Sequence, residues 1–126
     1  MKRFWAAVVI LFLLFSATCA NSLYLVSFTR QLTDLLLEAE ARCESGGWDR
    51  ALELTQKAEE LWEDHSTYLH TTLRHAEIDE VELTFRQVKE LLRRREDGEY
   101  SATNARLMGA IYLLCEQEQV NLKNIL

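Results

Sequence analysis

Polar and apolar positions alternate along this chain with a helical rhythm almost from end to end. From Phe4 through Phe15 there is no charged or polar residue at all. Then Leu25, Phe28, Leu32, Leu35 and Ala39 recur every three or four residues, widened by Leu36 and Cys43, while Asp34, Glu38, Glu40 and Glu44 take the other side. That spacing predicts a first packing helix that continues the apolar run without a break and ends at Gly46-Gly47, where glycine supplies the positive φ of a helix C-terminus. Ala51, Leu52, Thr55, Ala58, Leu61 and Trp62 predict a second helix from Trp48 to about Glu63. Glu63 to Thr67 holds no apolar residue and two good cap candidates, so a turn is expected there. A third helix is expected from about Thr67 to Arg95, with Leu69, Leu73 and Ala76, then Ile78, Val81, Phe85, Val88 and Leu92 on its stripe. Its phase slips by one residue between Leu73 and Ile78, which predicts a bend or a change of partner. The polar run Arg93 to Glu99 reads as a solvated hairpin tip with Gly98 at the reversal. A fourth helix from near Tyr100 carries Met108, Ile111, Cys115, Leu122 and Ile125, with Leu107 and Leu114 beside them.

The expected fold is all-α: an N-terminal membrane helix followed by a small four-helix up-down bundle made of two helical hairpins. Gly46-Gly47-Trp48-Asp49 with Ala51 and Ala58 resembles half of a tetratricopeptide repeat. The ~34-residue period of that repeat is missing, since Trp48 and Tyr100 lie 52 positions apart. The hairpins therefore read as convergent packing. Helix lengths at 1.5 Å per residue lift the second reversal roughly 20 Å above the first and bring Cys43 and Cys115 to one core layer.

Lys2 and Arg3 precede the apolar run, the arrangement of a membrane-targeting segment with its basic end inside. Counting through Phe28 before Arg30 gives the ~20 residues of a spanning helix. A retained signal-anchor over residues 1–28, continuing into an exported domain over 29–126, is the expected organisation. Cleavage after Ala20 and lipid attachment at Cys19 are the alternatives, and each leaves the remainder exported.

The chain has no proline and only 4 glycines among 126 residues, which favours long helices over strands. One domain with a modest core fits that length. Net charge is −6, and the 20 acidic residues all follow the leader. An acidic domain of this kind has no reason to seek nucleic acid or anionic headgroups.

His65, His70 and His75 stand five residues apart, so neighbours on one helix point some 140° apart and cannot share a metal. His75 and Asp79 do have metal-like spacing, with Glu77 nearby, but one helix alone rarely makes a site. No nucleophile elbow, phosphate loop or Cys-x-x-Cys pair occurs, so neither an enzyme nor a cofactor or small-molecule substrate is expected. Trp48 and Trp62 read as core plates of the bundle, with an exposed edge of either as a partner anchor.

Trp48-Asp49-x-Ala51, Trp62, His75-x-Glu77-Ile78-Asp79 and the tail Val120-Asn121-Leu122-Lys123-Asn124-Ile125-Leu126 together resemble domain of unknown function 4363, a family of short proteins from spore-forming Gram-positive bacteria. The resemblance covers nearly the whole chain. It implies a membrane-anchored helical protein without an assigned activity, and an association with small multi-pass membrane proteins. Trp48, Trp62, His75, Glu77, Asp79, Asn121 and Asn124 are accordingly the candidate interaction residues. The expected role is an accessory subunit of a membrane complex. The rivals are a small-ligand or metal sensor around His75–Asp79 and a self-associating envelope protein.

Overall fold

With no proline and no interior glycine, nothing in the chain stops the first helix before Ser45. The computed structural model, which describes residues 1–69 and 75–125 (side chains of 67–69, 75–77 and 118–125 excepted), has α1 over Lys2–Glu44 in one piece. α2 follows over Trp48–Leu69, α3 over His75–Arg94 and α4 over Asp97–Ile125. Each helix packs on its two neighbours in a ring, α1 on α2 and α4, α3 on α2 and α4, and among the described residues no diagonal pair approaches. That is an up-down-up-down four-helix bundle. α1 serves both as its first wall and as the long apolar leader.

The core follows the sequence stripes. Leu25, Leu32, Leu36, Ala39, Ala51, Ala58, Trp62, Ile78, Val81, Phe85, Val88, Leu107 and Ile111 are all essentially inaccessible. None of residues 2–24 is buried, and that stretch is about 35 Å of helix at 1.5 Å per residue.

Both reversals use the same device. Gly47 N–H donates to Arg42 O (2.7 Å) and Gly46 N–H to Cys43 O (3.0 Å), while Glu96 N–H donates to Leu91 O (3.0 Å) and Arg95 N–H to Leu92 O (3.2 Å). Each is a Schellman motif, with the left-handed residue at Gly46 (φ 87) in one and at Arg95 (φ 55) in the other. The two left-handed residues lie 49 positions apart, and burial repeats in that register. Ala51, Thr55, Ala58, Trp62, His65 and Ser66 match Tyr100, Asn104, Leu107, Ile111, Leu114 and Cys115, all twelve buried. No residue from 32 to 66 is identical to its counterpart 49 positions on. The hairpins therefore share a packing pattern and no sequence.

Three sequence expectations need correction. α2 does not turn at Glu63–Thr67 but runs on to Leu69, because His65 and Ser66 continue the buried stripe after Trp62, and Ser66 Oγ satisfies itself on Glu63 O (3.0 Å). Polar residue types on the inner face of a helix leave a gap in the apolar stripe that resembles a loop. The third helix is consequently short, beginning at His75 rather than Thr67; Leu73 and the phase slip lie outside the described residues. The second reversal is centred on Arg95, while Gly98 sits inside the first turn of α4.

With α3 shortened, the two reversals stand level. Cys43 Sγ donates a long hydrogen bond to Asp97 Oδ1 (3.8 Å), tying the last turn of α1 to the first turn of α4. Cys115 is 18 residues further along α4, about 27 Å at 1.5 Å per residue, beside Val26, Thr29 and Thr33 of α1. Cys43 and Cys115 are both buried thiols, in opposite halves of the bundle. They do not share a core layer.

Candidate functional site

Trp62 is fully buried at the centre of the core, so it has no exposed edge to offer a partner. Trp48, the first residue of α2, is half-buried and packs on that core beside the Gly46-Gly47 reversal. Asp79 is exposed on α3. His75 and Glu77 belong to the first turn of α3, and Asn121 and Asn124 to the last two turns of α4; their side chains lie outside those described, as does His70 altogether. Trp62 and Asp79 thus fall on opposite sides of the bundle wall, one inside and one out.

His65 is the histidine the bundle absorbs. It is buried against Phe28, with ring centroids 4.1 Å apart, and Tyr24 lies 5.7 Å away. The three rings close the end of the α1–α2 hairpin nearest the leader. Among the described residues no three potential metal ligands gather.

At the opposite end, burial pushes the Cys43 thiol up to about 11, with the Asp97 carboxylate, then Glu40 and Glu44, adding to it. Burial likewise raises the neighbouring Tyr100 phenol. A thiol held protonated this firmly is a poor nucleophile and a poor metal ligand. One buried polar side chain crosses between helices here: Asn104 Nδ2 donates to Leu36 O at 3.1 Å.

The outward faces of α2 and α4 differ sharply. Beyond its first turn, the exposed positions of α2 as far as Asp64 are Glu53, Gln56, Lys57, Glu60, Glu63 and Asp64. Their counterparts on α4, also exposed, are Ala102, Ala105, Arg106, Gly109, Tyr112 and Leu113. Tyr112 and Leu113 each keep 59% of their surface in solvent. A groove of about 420 Å³ runs along the α3 side of this face, past Glu80, Arg106, Gly109 and Leu113, and one of about 430 Å³ along the α1 side, past Thr29, Arg30, Asp34, Tyr112 and Glu116. The groove between α1 and α2 is lined by Asp34, Glu38, Lys57, Glu60 and Asp64, so Asp34 faces both grooves beside α1. This face lies outside the apolar stripe of α4. Its signal was the absence of any acidic residue from Tyr100 to Cys115.

The sequence model of the family described as "Domain of unknown function (DUF4363)" matches residues 19–125. The chain belongs to this family. The DUF4363 match takes in the whole bundle and begins within the leader, leaving out the most apolar part of α1. No curated protein and no solved structure matches the chain.

Proposed function

We propose that this DUF4363 protein is a single-pass, membrane-anchored interaction module, with Lys2 and Arg3 on the cytoplasmic side of the membrane and the bundle on the other side. Its work is to hold a protein partner at the membrane, as an accessory subunit, and not to catalyse. The observation that carries the reading is α1 itself. One helix is long and apolar enough to cross a membrane over its N-terminal part, with none of that part buried, and becomes a wall of the bundle without any linker. A ~30 Å hydrocarbon core matches the exposed length before Leu25. Trp5 and Tyr24, both exposed, stand about 28 Å apart along it, where interfacial aromatics belong. The rigid junction would fix the bundle's orientation on the membrane surface, which suits a scaffold for a multi-pass partner better than a tethered, freely tumbling domain.

The test is topological. Reporter fusions after Leu126 should be active only outside the cytoplasm, and alkaline carbonate should leave the full-length chain in the membrane fraction. A reporter active only in the cytoplasm would refute the orientation. A purified chain beginning at Asn21 would keep export and remove the anchor.

A further inference from the structure

Three hydrogen bonds fix the register of α4 against α1. Cys43 Sγ donates to Asp97, Ser101 Oγ to Glu40 and Asn104 Nδ2 to Leu36 O, so seven residues along α4 match seven back along α1. Val26 and Thr29 then share a groove with Tyr112 and Cys115, in the same register. Ile125 is 28 residues beyond Asp97, about 42 Å of helix, and 28 residues back from Cys43 is Phe15. The last turns of α4 therefore run beside residues 15–22 of α1. α2 and α3 stop short of that depth. Leu69 is four residues past His65, which stacks on Phe28, and so lies level with Tyr24. His75 is twelve residues from Gln87, the partner of Arg106, and so lies level with Glu118. Of the described helices, α1 and α4 alone continue, for seven residues or about 10 Å.

The exposure of α1 records the same contact. Between residues 2 and 24 every position is exposed except Thr18, Asn21 and Ser22, which are half-buried. They follow at helical spacing on the face that carries Leu25 and Phe28 into the core. By the register they lie level with residues 118–122 of α4. Leu14 and Leu11, next on that face, are open to solvent, at the level where α4 has ended.

A bilayer whose hydrocarbon runs from Trp5 to Tyr24 takes this end of α4 in with the leader. Ser16 lies about 12 Å below Tyr24, still within the ~15 Å of one leaflet's hydrocarbon. We infer that the last two turns of α4, from Glu118 to Ile125, enter the leaflet nearest the bundle beside α1, so that two helices of this chain meet lipid. The placement rests on the membrane-anchored reading. The composition of the segment suits it. Gln119 to Leu126 holds no acidic residue, in a chain with 20, and Val120, Leu122, Ile125 and Leu126 make half of it apolar. Its one charged side chain is a lysine, Lys123, the type a membrane admits near its surface, with the stem in lipid and the ammonium among headgroups. Thr18, Asn21 and Ser22, polar side chains that lipid cannot satisfy, are the ones on the half-buried face.

Depth measurements on the full chain carrying Cys19→Ser test this, since Cys43 and Cys115 are buried and escape labelling. Val9→Cys, Ala17→Cys, Ser101→Cys, Asn121→Cys and Asn124→Cys are each labelled with a nitrobenzoxadiazole fluorophore and reconstituted in phosphatidylcholine vesicles. Two tail positions are used so that one misfolded variant, detected by its circular dichroism, does not decide the outcome. Lipid brominated at mid-chain should quench the label at Asn124 as strongly as the one at Ala17, its level on α1, and the label at Asn121 less. The label at Ser101 should respond only to iodide, supplied on both sides of the membrane. Iodide quenching at Asn121 and Asn124 equal to that at Ser101, while lipid still quenches Ala17 or Val9, would overturn the placement and leave the anchor standing. Iodide quenching at Val9 without lipid quenching would refute the anchor itself.

Discussion

The α1–α2 and α3–α4 hairpins are built to one plan and finished differently. Inside, most of the buried positions recur 49 residues apart (Leu54 with the half-buried Thr103 is an exception), with different side chains sharing the volume: Ala51 and Ala58 where the second hairpin has Tyr100 and Leu107, Trp62 where it has Ile111. Outside, the first hairpin is charged along α2, whereas the second is small and apolar along α4. The difference separates two demands on one helix. Burial fixes the periodicity of the inner face and tolerates any residues whose summed volume fits. The outer face is under no such demand. The hairpins also differ in their first helices, since none of residues 2–24 of α1 is buried.

The largest effect should come from the largest fully buried side chain, Trp62. Trp62→Ala should cost about 3–5 kcal/mol, because truncating a fully buried indole leaves a cavity that the surrounding helices fill only in part. Ile111→Ala, at the equivalent position, removes less volume and should cost less, about 2–4 kcal/mol. Urea denaturation in micelles, followed by circular dichroism, gives both. Equal losses would mean that the indole's surroundings collapse around the gap, and that the matching register does not equalise packing.

A second asymmetry is chemical: Cys43 of α1 occupies the place that Leu92 holds on α3. Its thiol is raised from 9.0 to about 11 in the folded state, chiefly by burial, so the native protein keeps a proton that the unfolded chain gives up. Stability from this source is complete below pH 9 and is lost as pH rises toward 11, by at most about 2–3 kcal/mol. Denaturation midpoints measured from pH 8 to 11 should fall, and Cys43→Ala should flatten the fall while leaving any loss from the raised Tyr100 phenol in place. An unchanged slope in Cys43→Ala would show that the thiol is not the titrating group.

Much of the fold was legible because it rests on periodicity. The uninterrupted α1, the Gly46-Gly47 reversal, the Ile78-to-Leu92 stripe and the ring of helices all follow from apolar spacing and one pair of glycines. What failed has a physical reason in each case. His65 and Ser66 are polar types buried on the inner face, so a turn was expected where a helix persists. Arg95 adopts a backbone conformation that favours glycine, and Gly98 nearby drew the reversal to itself. Because helix lengths set heights, those two errors together misplaced Cys43 relative to Cys115. The candidate interaction residues fared differently: Trp62 is a core plate, Asp79 is exposed, and the α4 face went unread because it carries no reactive group.

The buried polar pair gives a smaller contrast. Thr55 and Asn104 are equivalent and both inaccessible, but Thr55 Oγ1 only donates to Ala51 O (2.9 Å) within its own helix, whereas Asn104 bridges α4 to α1. Asn104→Ala should cost about 1–3 kcal/mol through the lost bond and the space left behind. Thr55→Val, which removes a hydroxyl whose acceptor already sits in a helix, should stay within about 0.5 kcal/mol. Equal effects in thermal denaturation would mean that the inter-helix bond contributes nothing beyond burial.

The finest test of the comparison lies in the two reversals. They have the same hydrogen bonds, but Gly46 takes φ 87 without a steric penalty, while Arg95 takes φ 55 against its own Cβ. Gly46→Ala should therefore lose about 1 kcal/mol, and Arg95→Gly should gain up to about 1 kcal/mol by relieving the same penalty in the second hairpin. Gly98→Ala is the informative control. If Gly98 were the turn residue, alanine there would destabilise; in the first turn of α4, with nothing within 4 Å of a new Cβ, it should stabilise by about 0.5 kcal/mol. A loss at Gly98 together with no gain at Arg95 would move the reversal back to the glycine and break the equivalence of the two hairpins.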